Sequence, residues 1–243
     1  SLHDALPISQ LWPRFTFRDQ FMQFVHDFAR RQQVPPTIRE EWRRNVRGGS
    51  EPERLVLLDR FLIVQEASAA FSFVRFDVAR PADVLEVSFT DLTGDGLNDL
   101  VARLRRGDSE VLQVTALSDR TARQLFSVEV ARVHQGRRIA ATVAIRERNR
   151  EIVLTSVGDA TPIVLPVLEG SEPLVVPWEF QEVRYRWSGA RFERSGQRRA
   201  ASAATQTEPS ASGRGQQAGA VSTPEPEVTR TIPAIWPVVE ARL

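Results

Sequence analysis

The chain contains no cysteine and no lysine, and it has only one tyrosine, one methionine and three histidines. Without cysteine it can form neither a disulfide framework nor a thiolate metal site. All 32 basic residues are arginine, and 31 acidic residues reduce the formal net charge to +1. A nucleic-acid-binding protein usually carries a clear basic excess on one face, so we expect no nucleic-acid partner.

Long apolar runs and catalytic signatures are also lacking. No apolar run approaches the roughly 18 residues of a membrane-spanning helix, so no transmembrane segment is predicted. There is no Gly-x-Ser-x-Gly elbow, phosphate-binding loop, dinucleotide fingerprint or His-Glu-x-x-His motif. We interpret His26 and His134 as surface residues, and Trp178 and Trp187 as aromatics of the core or its rim and not as a sugar-stacking platform. The protein is therefore predicted not to be an enzyme.

Composition divides the chain into five segments. Residues 1–8, Ser-Leu-His-Asp-Ala-Leu-Pro-Ile, resemble one translated frame of a sequencing-adaptor oligonucleotide. We therefore exclude residues 1–9 from the fold and expect the natural N-terminus to be missing. The polar residues after the last strand pattern bury too little surface to offset the cost of ordering them. The remaining predicted segments are an N-terminal helical segment at 10–50, a β domain at 51–194, a disordered linker at 195–230 and a short apolar tail at 231–243.

Two short helices are predicted in the segment 10–50. A capping box begins the first helix at Thr16, and a second capping box begins the other at Thr37. In the second helix Ile38 and Trp42 share one stripe. In the first helix the stripe is longer, and we expect it to pack on the core of its own domain; its members are Phe17, Phe21, Phe24, Val25 and Phe28.

The segment 51–194 has the pattern of a mainly-β domain. Short apolar stretches recur with turn signals between them, and apolar and polar residues alternate strictly over 139–145. Many short strands at close spacing are typical of an antiparallel sheet. The predicted fold is an antiparallel meander of short strands, either propeller-blade-like or a sandwich, preceded by the two helices and followed by the disordered tail.

The segment 91–99, Asp-Leu-Thr-Gly-Asp-Gly-Leu-Asn-Asp, has the spacing of a calcium-binding loop. Calcium takes about six to eight oxygen ligands, and a short loop supplies them from alternating positions. Glycine lets the chain wrap tightly around an ion. Carboxylates that are brought together without a cation would repel one another. The sequence therefore predicts a calcium site formed by the side chains of Asp91, Thr93, Asp95 and Asp99 and the backbone carbonyl of Leu97.

The context of this loop is not that of an EF-hand. Position 12 of the loop is Ala102 and not the bidentate glutamate that an EF-hand needs, and the flanks have the pattern of strands. The loop instead resembles the FG-GAP or VCBS repeat, with its Asp-x-Asn-Gly-Asp-Gly-x-x-Asp-Leu motif. Thr93 replaces the usual asparagine, and we find one copy only. The resemblance implies a blade of an integrin-like β-propeller. The matching residues are Asp91, Gly94, Asp95, Gly96, Asp99 and Leu100.

Three functions remain open from the sequence. The first is a non-catalytic calcium-binding β module of an exported bacterial protein, which acts as a scaffold or as a binding surface for a protein or glycan. Its expected location is periplasmic, cell-surface or extracellular. The second is a structural domain of an envelope-associated protein, in which the loop is a metal-free Asp/Gly turn. The third is an accessory domain of a truncated polysaccharide-active enzyme.

Overall fold

The structure, a computed structural model, describes residues 17–66, 70–118 and 122–200 and the backbone of residues 230–232, with side chains from residue 20 to residue 200. In these residues strands predominate, and neighbouring strands pair antiparallel. This confirms the prediction of a mainly-β, antiparallel fold. The predicted capping box at Thr16, the artefact segment and most of the predicted linker and tail lie outside the described residues.

The chain divides after Pro81 into two compact units. In the first unit the helix α1 spans Phe17–Gln32 and precedes four strands that pair in sequence order. From Phe21 onward, the predicted apolar stripe of α1 packs on this sheet, where Phe28 meets Phe61 edge-on with ring centroids 5.3 Å apart. The strands are β1 (Ile38–Arg44), β2 (Glu53–Leu58), β3 (Phe61–Gln65) and β4 (Phe71–Arg75).

The second predicted helix is wrong, because the residues after Thr37 form the strand β1. Ile38 and Trp42 are both half-buried, as the sequence pattern required. In a helix and in a regular strand, residues four apart share a face, so the spacing by itself was compatible with both structures. Pairing with β2 selects the strand. A bulge between Ile38 and Glu40 then pairs Ile38 with Leu58 and Trp42 with Leu55, so the two side chains lie on opposite faces of the sheet.

The second unit contains a long antiparallel sheet that begins after a 3₁₀ turn at Pro81–Asp83. Its described strands follow one another in sequence order across the sheet, with the exception of the last. They are β5 (Val84–Thr90), β6 (Asp99–Arg106), β7 (Ser109–Ala116), β8 (Arg123–His134), β9 (Arg137–Arg146), β10 (Glu151–Val157), β11 (Phe180–Trp187), β12 (Phe192–Arg199) and β13 (Arg230–Ile232).

The sheet opens between β8 and β9. These strands pair only from His134↔Arg137 to Ala131↔Ala140. Beyond this point the residues Val143 to Ile145 of β9 pair with β13. On the facing edge of β8, Val128 forms an isolated parallel β-bridge with Glu172. The strands β5–β8 and β9–β12 thus form two antiparallel meanders that contribute to one apolar core.

The strand β12 extends beyond the predicted end of the β domain. The linker was predicted to begin at Ser195, but β12 ends at Arg199, which pairs with Phe180. The residues 195–199 have no large apolar side chain, but they still belong to the strand because backbone hydrogen bonds to β11 do not require one. In the described part of the chain, no helix is long and apolar enough to cross a membrane.

Candidate metal-binding loop

The predicted calcium loop joins two paired strands. β5 ends at Thr90 and β6 begins at Asp99, and these two residues are the last pair of the hairpin. The predicted strand–loop–strand context is therefore present, and the helices of an EF-hand are not. This hairpin contains the first two strands of the meander β5–β8.

Asp91 is the residue around which the loop closes. Its Oδ1 accepts a hydrogen bond from the amide of Gly94 at 2.5 Å, and its Oδ2 accepts one from the amide of Gly96 at 2.9 Å. The hydroxyl of Thr93 lies 3.5 Å from Oδ1 of the same carboxylate. Gly94 and Gly96 have φ of +75° and +84°, a backbone conformation that side chains other than glycine rarely adopt.

Asp99 closes the loop from its other end and is buried, with 3 % of its surface exposed. Its Oδ2 accepts hydrogen bonds from the amides of Leu92 at 2.9 Å and Thr93 at 3.1 Å. The pKa of this carboxyl is raised to about 6, and burial is the largest cause. The negative charges of Asp95 and Asp91 also raise the pKa, and the hydrogen bonds from the two amides lower it. Both hydrogen-bonding partners are neutral, so they do not balance the charge of an ionised Asp99.

Asp95 differs from the other two aspartates because it lies on the exposed side of the loop. Its Oδ1 accepts a hydrogen bond from the amide of Leu97 at 2.9 Å. The structure thus places Asp91, Asp95 and Asp99 on one short loop, close enough for the charges of the first two to affect the third. Among the residues that the structure describes, no three His, Asp or Glu side chains form a ready-made metal-binding group.

The donor chemistry of the loop nevertheless fits a hard cation. A carboxylate has two oxygens and about four lone-pair positions, so a hydrogen bond from a backbone amide leaves room for a second partner. Asp91 and Asp99 therefore keep acceptor capacity while the loop amides hold their orientation. Binding would require Asp95 to turn from the amide of Leu97, which an exposed side chain can do at little cost.

Arg150 is a neighbour of the loop that the sequence did not indicate. It follows the 3₁₀ turn Glu147–Asn149 between β9 and β10 and has φ 52° and ψ 47°. A Cβ placed on Gly94 would lie 1.9 Å from Cζ of Arg150, so the guanidinium rests directly against this glycine. No sequence signal could have found the contact, because it joins residues from two different meanders.

The other residues considered from the sequence have ordinary structural positions. His26 is exposed on α1, and His134 is half-buried at the end of β8. Trp178 and Trp187 are partly buried and pack against the core of the second unit, as predicted.

The chain matches no protein-family model, no curated protein and no solved structure. The resemblance to the FG-GAP or VCBS repeat therefore remains a prediction based on one loop and its two strands.

Proposed function

We propose that this protein is a non-catalytic β module whose loop 91–99 binds calcium, and that the ion stabilises the fold. The supporting observation is the buried carboxylate of Asp99, which lies at the base of a loop with two further carboxylates and receives its hydrogen bonds from neutral amides. Ionisation of Asp99 near neutral pH is costly in this environment. A divalent cation bound by the three aspartates offsets that cost.

The proposed ligands are those of the sequence prediction. The carboxylates of Asp91, Asp95 and Asp99, the hydroxyl of Thr93 and the carbonyl of Leu97 supply the oxygen donors that calcium prefers. A threonine hydroxyl is a weaker ligand than an asparagine amide, and only three carboxylates are present. We therefore expect a dissociation constant on the order of 10⁻⁴–10⁻³ M, which is typical of extracellular calcium modules.

The proposed affinity argues for a location where calcium is abundant. Free calcium in the cytosol is far too low to fill such a site, so a periplasmic, cell-surface or extracellular location follows from the proposal. At about 1 mM calcium, a constant of 10⁻⁴ M corresponds to about 1.4 kcal/mol of added stability. The module then serves as a scaffold or as a surface for a protein or glycan partner.

The propeller-blade interpretation has support from the strand order. Propeller blades are four-stranded antiparallel sheets, and the meander β5–β8 has this form with the loop between its first two strands. The sandwich alternative is supported by the shared core between β5–β8 and β9–β12. Calcium binding by the loop is compatible with either arrangement.

A second candidate function is a structural domain in which the loop binds no metal. The observation in its favour is that each carboxylate oxygen of Asp91 already accepts a hydrogen bond from a backbone amide and that the guanidinium of Arg150 rests on Gly94. In that case the loop is a tight turn, and its aspartates serve only as hydrogen-bond acceptors.

A calcium-dependent melting experiment separates the two candidates. The full chain is melted in 1 mM calcium and in chelator, with magnesium as the control cation. We expect a melting temperature about 1–6 °C higher in calcium, for dissociation constants between 10⁻³ and 10⁻⁴ M. Asp95→Ala should abolish the shift, because it removes a proposed ligand. The loop should stay folded in this variant, since Asp95 is exposed. Asp108→Ala changes another exposed aspartate of the same unit and should keep the shift. Equal melting temperatures in calcium and chelator would favour the metal-free turn.

A further inference from the structure

Arg150 places a positive charge on the backbone of the acidic loop. Its guanidinium is so close to Gly94 that a Cβ at that position would lie 1.9 Å from Cζ and 2.1 Å from Nε. Gly94 donates its amide to Asp91 and directly precedes Asp95 in the chain. The cation therefore lies beside the backbone segment that carries two of the three carboxylates proposed as calcium ligands.

The backbone of Arg150 is held in a conformation that favours this position. Arg150 has φ 52° and ψ 47°, the left-handed region in which arginine is uncommon. Its amide donates to the carbonyl of Glu147 at 3.0 Å, and its carbonyl accepts from the amide of Trp187 at 3.3 Å. These two hydrogen bonds tie the residue to its own turn and to β11. The side chain thus extends to the loop from a backbone that is fixed on both sides.

We propose that Arg150 sets the calcium affinity of the loop by acting as a built-in cation beside Gly94. Its charge offsets part of the repulsion between the aspartates when no metal is bound, and it repels the incoming divalent ion. Both effects weaken calcium binding. This inference rests on the proposed function, because it concerns the affinity of the same site.

Arg150→Gln tests whether the positive charge matters. The substitution keeps a long polar side chain and leaves another non-glycine residue in the left-handed conformation. We expect this variant to bind calcium about two- to five-fold more tightly in isothermal titration, a size typical of exposed charges. In chelator it should melt at a lower temperature than the natural chain, because the repulsion between the aspartates is no longer offset. The affinity difference should shrink at high ionic strength, since salt screens exposed charges.

Two control variants separate a local charge effect from other causes. Arg150→Lys keeps the charge and should bind calcium like the natural chain. Arg148→Gln removes the same charge from an exposed residue of the adjacent turn and should leave the affinity unchanged.

The possible results distinguish this inference from the function on which it rests. If the natural chain binds calcium and Arg150→Gln binds it equally well, the role of Arg150 is refuted and the calcium function stands. If Arg150→Lys behaves like Arg150→Gln, the charge is not the cause, and the proposal is overturned in the same way. If neither the natural chain nor Arg150→Gln binds calcium, both the function and the inference fail.

Discussion

Arg132 and Glu129 form a doubly hydrogen-bonded ion pair, with Nε 2.5 Å from Oε1 and Nη2 2.7 Å from Oε2. Their side chains are only 5 % and 3 % exposed. In a regular strand, residues three apart point to opposite faces. β8 has a bulge here, because Glu110 pairs with Ala131 whereas Val111 pairs with Glu129. The extra residue brings both charged side chains to the same side of the strand.

Arg132→Met is expected to destabilise the protein strongly. The substitution leaves the buried charge of Glu129 without a partner, and breaking a buried ion pair in this way costs about 3–5 kcal/mol. Urea unfolding measures the loss. Arg191→Met is the matched control, because it removes an arginine from an exposed pair with Glu193 and should change the stability little. Similar losses in the two variants would show that burial does not govern the energy of the Glu129–Arg132 pair.

Asp99 should give the protein a pH-dependent stability when calcium is absent. Its pKa is raised from 3.8 to about 6, first by burial and then by Asp95 and Asp91. The folded protein therefore holds this proton more tightly than the unfolded chain does. The resulting stability is present below about pH 4 and is lost as the pH rises to about 6 and above. Urea unfolding in chelator between pH 4 and pH 7 should show this decrease.

Asp99→Asn isolates the contribution of this carboxyl. The amide oxygen can still accept from Leu92 and Thr93, but it carries no charge, so this component of the pH dependence should disappear. In chelator at pH 7 the variant is expected to be more stable than the natural chain by on the order of 1–2 kcal/mol. It should also gain less stability from calcium, because one negative charge of the site is removed. A variant that is less stable in chelator and responds to calcium like the natural chain would contradict both the cost of this charge and its role as a ligand.

Gly94→Ala should be more destabilising than Gly96→Ala. Both positions have a positive φ, which costs about 1 kcal/mol for alanine. Only at Gly94 would the new Cβ also displace the guanidinium of Arg150, whereas the space at Gly96 is open. The additional loss should be small, because the guanidinium is the end of a flexible, exposed side chain. The double variant Gly94→Ala with Arg150→Ala should recover the additional loss, which a double-mutant cycle measures. Additive losses would mean that the contact between Arg150 and Gly94 contributes nothing to stability.

Phe28→Ala should destabilise the first unit by about 3–5 kcal/mol. The ring is buried and contacts Phe61 and Phe73 with centroid distances of 5.3 Å and 5.0 Å, so its removal leaves a cavity in the core beneath α1. Gln23→Ala, at an exposed position of the same helix, is the control and should be nearly neutral. Chemical unfolding followed by circular dichroism provides the measurement. A neutral Phe28→Ala would contradict the packing of α1 on the sheet.

The sequence by itself determined the features that depend on local periodicity. The phenylalanine stripe predicted α1 because its spacing matches one face of a helix. The strict alternation over 139–145 predicted β9, where Ile139, Ala141, Val143 and Ile145 are buried. The aspartates and glycines of 91–99 likewise predicted a tight loop between two strands, since their conformational and ligand properties are local.

Only the tertiary structure decided the features that depend on residues distant in the chain. Ile38 and Trp42 are compatible with a helix or a strand, and hydrogen bonding to β2 selected the strand. The contact of Arg150 with Gly94 arises from the packing of two meanders, and the sequence has no period that links them. The raised pKa of Asp99 depends on how deeply the hairpin buries it. Burial and charge proximity are properties of the assembled fold, so a local pattern can propose the ligands of a site but not determine their energies.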